Sequence, residues 1–325
     1  MLNINLDDLE SKSDLELELE MQKLNLPDEL KWENLTFTND FIFGKIMRNI
    51  TLCRELLQRV LPDIKIGRIV FPEVQKSSKD GFDELGVRFD FYVKSGDGTK
   101  IYNVEMQTVN KKNLPKRSRA YHISIGHEAL NKYSVKKYDK MPTAFVIFIC
   151  TFDLFKKGLH KYTFKNVCLE DKSLELGDGA VTIFLNAKGK QDDVSPELEH
   201  LLKFVAGKKV DDDPFIDKLD KELKFARKNS AWRRAYMMMS IREQSKIMEA
   251  EERAERRGKK LGKELGIAIG EERGIAIGEE RGRRSGRLER TLEIAKKMLI
   301  DGVNLSQIIR FTGLSVDEIN ELQRA

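Results

Sequence analysis

The chain has 325 residues, of which 40% are hydrophobic and 34% charged, with a formal net charge of +5. That length holds one large domain with an appendage, or two domains, and the composition is that of a soluble globular protein with a highly charged, helical region. The small positive charge permits nucleic-acid binding without arguing for it, and three cysteines (Cys53, Cys150, Cys168) without metal or redox spacing imply neither a zinc site nor a disulfide framework.

The N-terminus is acidic and Leu-rich, the opposite of a signal peptide, and no apolar run approaches the ~18 residues that span a bilayer. A cytoplasmic protein without membrane contact is the expectation. Residues 1–33 read as an acidic tail, either a short amphipathic helix or disordered, with the composition leaning to disorder.

After Thr38-Asn39-Asp40, apolar residues from Phe43 to Val60 recur at helical spacing, so one amphipathic helix is expected up to Pro62. Gly44 inside it weakens the helix by about 1 kcal/mol relative to Ala. A strand is expected over 64–75, interrupted at Pro72. The stretch GVRFDFYVKSGDGTKIYNVEMQT, residues 86–108, alternates with period two on both sides of Ser95-Gly96-Asp97-Gly98, the signature of a β-hairpin. It sets Asp90 beside Glu105 and Gln107. Two neighbouring carboxylates repel unless a cation neutralises them, and hard oxygen ligands suit Mg²⁺ or Mn²⁺. The pattern has two outcomes, a metal site or a hairpin with a solvated polar face, and taken alone it favours the second.

A helix carrying Arg117, Arg119, Tyr121 and His122 is expected from Leu114, with Pro115 suited to its first turn. TAFVIFICTF then reads as a strand buried on both faces. Strands are also expected over 160–169 and 180–185, followed by helices after Ser195-Pro196. Mixed α/β architecture with helices on a central sheet follows from that order. Between Gly258 and Gly286 a glycine stands at every fourth position, and GIAIGEER occurs twice in tandem. The alternatives are a helical oligomerisation stalk and a weakly ordered linker. The last segment reads as a miniature helix-turn-helix whose final helix is acidic (Asp317, Glu318, Glu321), favouring protein contact over DNA contact.

TNDFIFGKIM, GVRFDFYV, YNVEMQT, LPKRSRAYH, FVIFICTFDLF, GLHKYTF, DGAVTIFLNAKG and WRRAYM, in that order between about residue 35 and about residue 239, resemble the PD-(D/E)xK nuclease family transposases, also called recombination-promoting nucleases (Rpn). The resemblance implies an α/β fold with a restriction-endonuclease-like core, a mixed central sheet flanked by helices, and an all-helical C-terminal extension. It divides the chain into the tail (1–33), the nuclease-like core (34–190), a helical extension (191–248), the Gly-every-fourth stalk or linker (249–290) and the helix-turn-helix-like segment (291–325).

The implied activity is Mg²⁺-dependent (or Mn²⁺-dependent) endonucleolytic cleavage of DNA that promotes recombination or transposition-like events, with DNA as partner and a homo-oligomer formed through the helical half. By the same resemblance Asp90, Glu105 and Gln107 are the catalytic set. Asp90 and Glu105 are the metal ligands, with Asp40 or Glu55 on the first helix as candidates for a further one and Asp40 preferred, and Arg117, Arg119, Tyr121 and Lys45 contact DNA. The chain departs from the motif at Phe89, where Pro stands in PD, and at Gln107, where Lys stands. It also has Ala120 and His122 where relatives more often carry Tyr and Gln. Those departures keep open a second function, a catalytically weakened DNA-binding or assembly protein of the same family.

Overall fold

A computed structural model describes residues 8–71, 90–132 and 138–324. The chain divides into two compact units, Met1–Arg242 and Glu243–Ala325. No helix among the described residues is long and apolar enough to cross a membrane.

In the first unit, α1 (Asp14–Lys23) is opened by a reciprocal capping box, Ser13 accepting from the Glu16 N–H while the Glu16 carboxylate accepts from the Ser13 N–H. Leu9 and Leu17 are buried against Met237 and Ile241. A residue alternation that leans to disorder therefore forms a docked helix instead, because its leucines find an apolar partner 220 residues downstream, where Arg234 also pairs with Asp14. The single helix expected up to Val60 is two: α2 (Asp40–Ile46) and α3 (Ile50–Val60). Asn49 breaks it by taking an extended conformation and capping α3, its side chain accepting from the Thr51 and Leu52 N–H groups.

Among the described residues six strands follow: β1 (Ile69–Val70), β2 (Phe91–Ser95), β3 (Lys100–Gln107), β4 (Thr143–Cys150), β5 (Lys161–Phe164) and β6 (Ala180–Asn186). Their spatial order is β1-β2-β3-β4-β6-β5. The β2–β3 pair is the antiparallel hairpin, turning at Gly98, whose φ of 73° suits a residue without a side chain. Of the strand expected over 64–75, residues 72–75 lie outside the described residues, as do Val87, Arg88 and Phe89 of the hairpin's first arm. The strand expected over 160–169 ends at Phe164, leaving only an isolated bridge from Val167 to Glu175.

Strands β3, β4 and β6 are parallel neighbours, and α4 (Leu114–Lys132) supplies the crossover from β3 to β4. As a strand buried on both faces must, β4 is apolar after Thr143. Phe145, Ile147 and Ile149 join the core packed by α2, α3, α5 (Pro196–Val205) and α6 (Pro214–Lys228). Ala144, Val146, Phe148 and Cys150 join the core under α4.

Helices α3, α5 and α6 meet at a buried ion pair. Arg59 donates to both Asp213 oxygens at 2.7 and 2.8 Å and to the Glu197 carbonyl at 2.8 Å, and its guanidinium lies 4.4 Å from the Phe215 ring centre. Asp213 also caps α6, accepting from the Phe215 and Ile216 N–H groups. The Arg59 bonds hold the Asp213 carboxyl well below the usual carboxylate range.

Helix α7 (Ser230–Ile300) begins in the first unit and continues in the second. The glycines from 258 to 286 all lie on this helix, and a Cβ added at any of them would meet nothing within 4 Å. Packing inside the described chain does not require them. At the C-terminus, α8 (Leu305–Thr312) and α9 (Val316–Arg324) enclose Ala295 of α7 together with Ile308, Leu314 and Ile319. Asn304 caps α8, Gly313 ends it in the left-handed conformation, and a Ser315–Glu318 capping box starts α9.

Asp213→Ala removes the bidentate partner of the buried Arg59 and leaves it only the looser carboxylate contact to the half-exposed Glu55 at 3.4 Å, so urea denaturation is expected to show a loss of about 3 kcal/mol. A variant within 1 kcal/mol of wild type would show that the pair holds nothing.

Candidate active site

Glu105 lies in the middle of the sheet, on β3, and alternation turns it to the α4 face. Its side chain is 1% exposed. Asp90 stands immediately before β2, where the hairpin register brings it alongside: its N–H donates to Glu105 Oε1 at 3.2 Å, and its own Oδ2 accepts from the Met106 N–H at 3.0 Å. Burial first, and the Asp90 charge second, push the Glu105 carboxyl up to about 8. The Tyr121 hydroxyl and the Asp90 N–H act in the opposite sense. So does Asn103, two residues back on the same face, although it stands outside hydrogen-bonding geometry, neither its amide oxygen nor its nitrogen having a protein partner.

The other wall is α4. Arg117 and Tyr121 are four residues apart and so share one helix face. The Tyr121 hydroxyl donates to Glu105 Oε2 at 2.7 Å, and Arg117 donates from Nη2 to the Tyr121 oxygen at 2.6 Å. Arg117 Nη1 donates to Gln107 Oε1 at 3.1 Å, while Nη2 is 3.5 Å from Glu105 Oε2. Partial burial opposes the Arg117 charge, but the bond to Tyr121 and the negative groups around it outweigh that cost and raise its pKa. Further along the same helix, Glu128 accepts from the Tyr92 hydroxyl and the Lys94 ammonium, both at 2.6 Å, tying α4 to β2.

Asp90, Glu105, Gln107, Arg117 and Tyr121 thus form one connected cluster. Tyr121, expected on DNA, is only 4% exposed and faces inward to Glu105, because the helical phase that aligns it with Arg117 also turns it to the sheet. Arg119 is exposed on α4. Lys45 lies over the rings of Phe41 and Trp232, at 5.3 and 5.9 Å. Asp40 is exposed at the start of α2, its Oδ1 accepting from the Phe41 N–H. Among the described residues no three His, Cys, Asp or Glu side chains form a cation-sized group, so Asp40 does not complete a three-residue set with Asp90 and Glu105. His122 is a further departure from the resembled pattern: its Nε2 is 3.0 Å from Thr182 Oγ1 on β6, and burial lowers its pKa. Sequence reasoning missed Glu128 and the inward role of Arg117. The signal for both was present, since 117, 121 and 128 follow the i, i+4, i+11 stripe of one helix face.

Helix α2 sets the back of the site. A Cβ on Gly44 would stand 3.2 Å from the Asp90 carbonyl oxygen, so glycine lets the helix approach the Asp90 backbone.

Two outcomes follow from this geometry. Gly44→Ala gains about 1 kcal/mol of helix propensity yet displaces the Asp90 backbone. Activity is expected to fall several-fold without loss of thermal stability, and unchanged activity would show that Asp90 tolerates the shift. Glu105 keeps its proton to about pH 8 in the fold against 4.5 ordinarily. The folded chain therefore binds the extra proton over that window, and stability falls as pH rises through it, by at most about 1.4 kcal/mol per pH unit. In EDTA, Glu105→Gln is expected to flatten the decline of Tm between pH 5 and pH 8; a slope equal to wild type would refute the buried, protonated Glu105.

Residues 37–263 match the PD-(D/E)XK nuclease family transposase, and residues 288–324 match the C-terminal HTH domain of the Rpn/YhgA-like nuclease family. No curated protein and no solved structure matches the chain. The first match covers well over half of the sequence and contains both the hairpin and α4, and the mixed six-stranded sheet with its helices is the restriction-endonuclease-like core expected for it. Sheet, paired carboxylates and the two matches lead to one conclusion: the chain belongs to the PD-(D/E)XK nuclease family transposases, of the Rpn branch.

Proposed function

We propose that the protein is a divalent-metal-dependent DNA endonuclease that hydrolyses phosphodiester bonds at the Asp90–Glu105 pair and promotes recombination or transposition-like events. The observation that carries this is the Glu105 carboxylate, buried on the central strand beside Asp90 and forced toward its neutral form by that placement. A buried acid beside a second acid is costly in a purely structural role, and the family match gives it a chemical one.

The residues fit a hard divalent cation. Two carboxylates offer oxygen ligands, and a cation offsets both the burial and the Asp90 repulsion that raise the Glu105 pKa. Mg²⁺ is the first choice and Mn²⁺ the second. When bound, such an ion polarises the phosphate and lowers the pKa of an attacking water. The protein's own groups do the rest. Asp90 is fixed by the Met106 N–H, so its carboxylate is held on the rim of the hairpin. The Tyr121 hydroxyl orients Glu105 through Oε2. Gln107, half-buried at the end of β3, has an amide that orients water or a phosphate oxygen by hydrogen bonds but carries no charge. Catalysis by positioning and charge stabilisation suits in-line displacement at phosphorus.

DNA as the substrate is supported by the C-terminal HTH match. The acidic residues Asp317, Glu318 and Glu321 on α9 make that helix a poor phosphate binder. Exposed Arg119 on α4 is therefore the candidate backbone contact near the cleavage site. The Gln in place of Lys favours one rival, a member of the family that binds DNA but cuts it feebly.

Plasmid nicking separates the two. Purified wild type is expected to nick supercoiled plasmid in Mg²⁺ or Mn²⁺ and not in EDTA, with Asp90→Ala and Glu105→Ala each reducing the rate at least 100-fold. Wild type no faster than the double variant in both ions would end the enzyme reading.

A further inference from the structure

The family motif carries a lysine two residues after its acidic residue, and this chain has the neutral Gln107 there. We propose that Arg117, reaching over from α4, supplies the missing positive charge and binds the non-bridging oxygens of the substrate phosphate. The inference rests on the phosphodiesterase reading of the site and narrows the DNA contact implied for Arg117 by the family resemblance to the reacting phosphate, in the role of the absent lysine.

Three observations carry it. First, the guanidinium is built onto Gln107 itself: Nη1 donates to Gln107 Oε1 at 3.1 Å, so a cation stands at the tip of the side chain that replaces the motif's lysine. Second, it is not locked into a bidentate ion pair. Its nearest partner is the Tyr121 hydroxyl at 2.6 Å, whereas Glu105 Oε2 is 3.5 Å away and has its own short bond from Tyr121 at 2.7 Å. An arginine consumed by a structural ion pair would meet the carboxylate directly and bidentately, as Arg59 meets Asp213. Arg117 instead meets Glu105 through one nitrogen at 3.5 Å, so the carboxylate does not take up its fork. Third, it bridges from buried to open: the Glu105 side chain is 1% exposed and that of Arg117 is 36% exposed.

Fixation and charge work together here. The Tyr121 ring lies 5.4 Å from the guanidinium carbon, and contacts to β3 and α4 hold the fork in one orientation, so little ordering remains when a phosphate arrives. Arg117 is also in the first turn of α4, its N–H bonded to the Asn113 carbonyl, where the helix dipole adds potential of the same sign. Of its five N–H groups, those not bonded to Gln107, Tyr121 and Glu105 are available to a phosphate oxygen.

The test uses the full chain and two readouts. In plasmid nicking with Mn²⁺, Arg117→Ala and the near-isosteric Arg117→Gln are expected to lose about 100-fold or more. The double variant Arg117→Ala/Gln107→Lys is expected to regain at least tenfold, because the charge returns from the strand. In EDTA, fluorescence anisotropy with a labelled duplex is expected to show a salt dependence shallower by about one for Arg117→Gln, the loss of one phosphate contact. Nicking by Arg117→Gln at the wild-type rate overturns the proposal, and so does a folded double variant as slow as Arg117→Ala. If wild type itself does not nick, the nuclease reading fails separately. The salt dependence then still decides: a shallower slope supports Arg117 as a phosphate ligand, and an unchanged slope refutes it.

Discussion

The architecture of the first unit depends on one awkward placement, a carboxylate buried on the central parallel strands. Glu105 sits between β2 and β4 with α4 above it, and such a group is tolerated only when its surroundings answer its charge. The answers come from three groups: the Asp90 backbone just before β2 and, both on α4, the Tyr121 hydroxyl and the more distant Arg117. Each must be in place for Glu105 to be buried, so the carboxylate organises the hairpin and the crossover helix around itself.

The opposite face of the sheet makes that placement affordable. It is closed by α2, α3, α5 and α6 in a continuous apolar core, locked where Arg59 and Asp213 join three helices. Helix α2 belongs to that core and yet touches the site, since Gly44 lies against the Asp90 carbonyl. Packing on one face is thus transmitted to the chemistry on the other through the backbone of a single residue. The second unit is built differently, with a small core of Ala295, Ile308, Leu314 and Ile319 and well-formed caps on short helices. Its local signals suffice because its contacts are local.

Much of this was legible in the residues. Period-two alternation around Ser95–Gly98 located the hairpin, and the apolar run from Thr143 to Cys150 located a strand covered on both sides. Asp90 and Glu105 could be paired from register alone. Where the expectation failed, longer-range contacts had decided. The leucines of α1 needed Met237 and Ile241 to become a helix, and nothing in their neighbourhood announces such a partner. The break between α2 and α3 turned on Asn49 acting as a cap, a role its side chain takes only when the backbone there is extended. Tyr121 was placed on the right helix and assigned the wrong direction.

The amino-acid sequence alone determined most of the strands and helices and the presence of two acids on one hairpin, because those follow from backbone sterics and from periodicities within a few residues. Only the tertiary structure decided how Glu105 is buried, which face of α4 looks at it, and that a guanidinium from α4 meets Gln107. These are distances between elements that are remote in sequence, set when a whole sheet closes against its helices, and no local pattern encodes them.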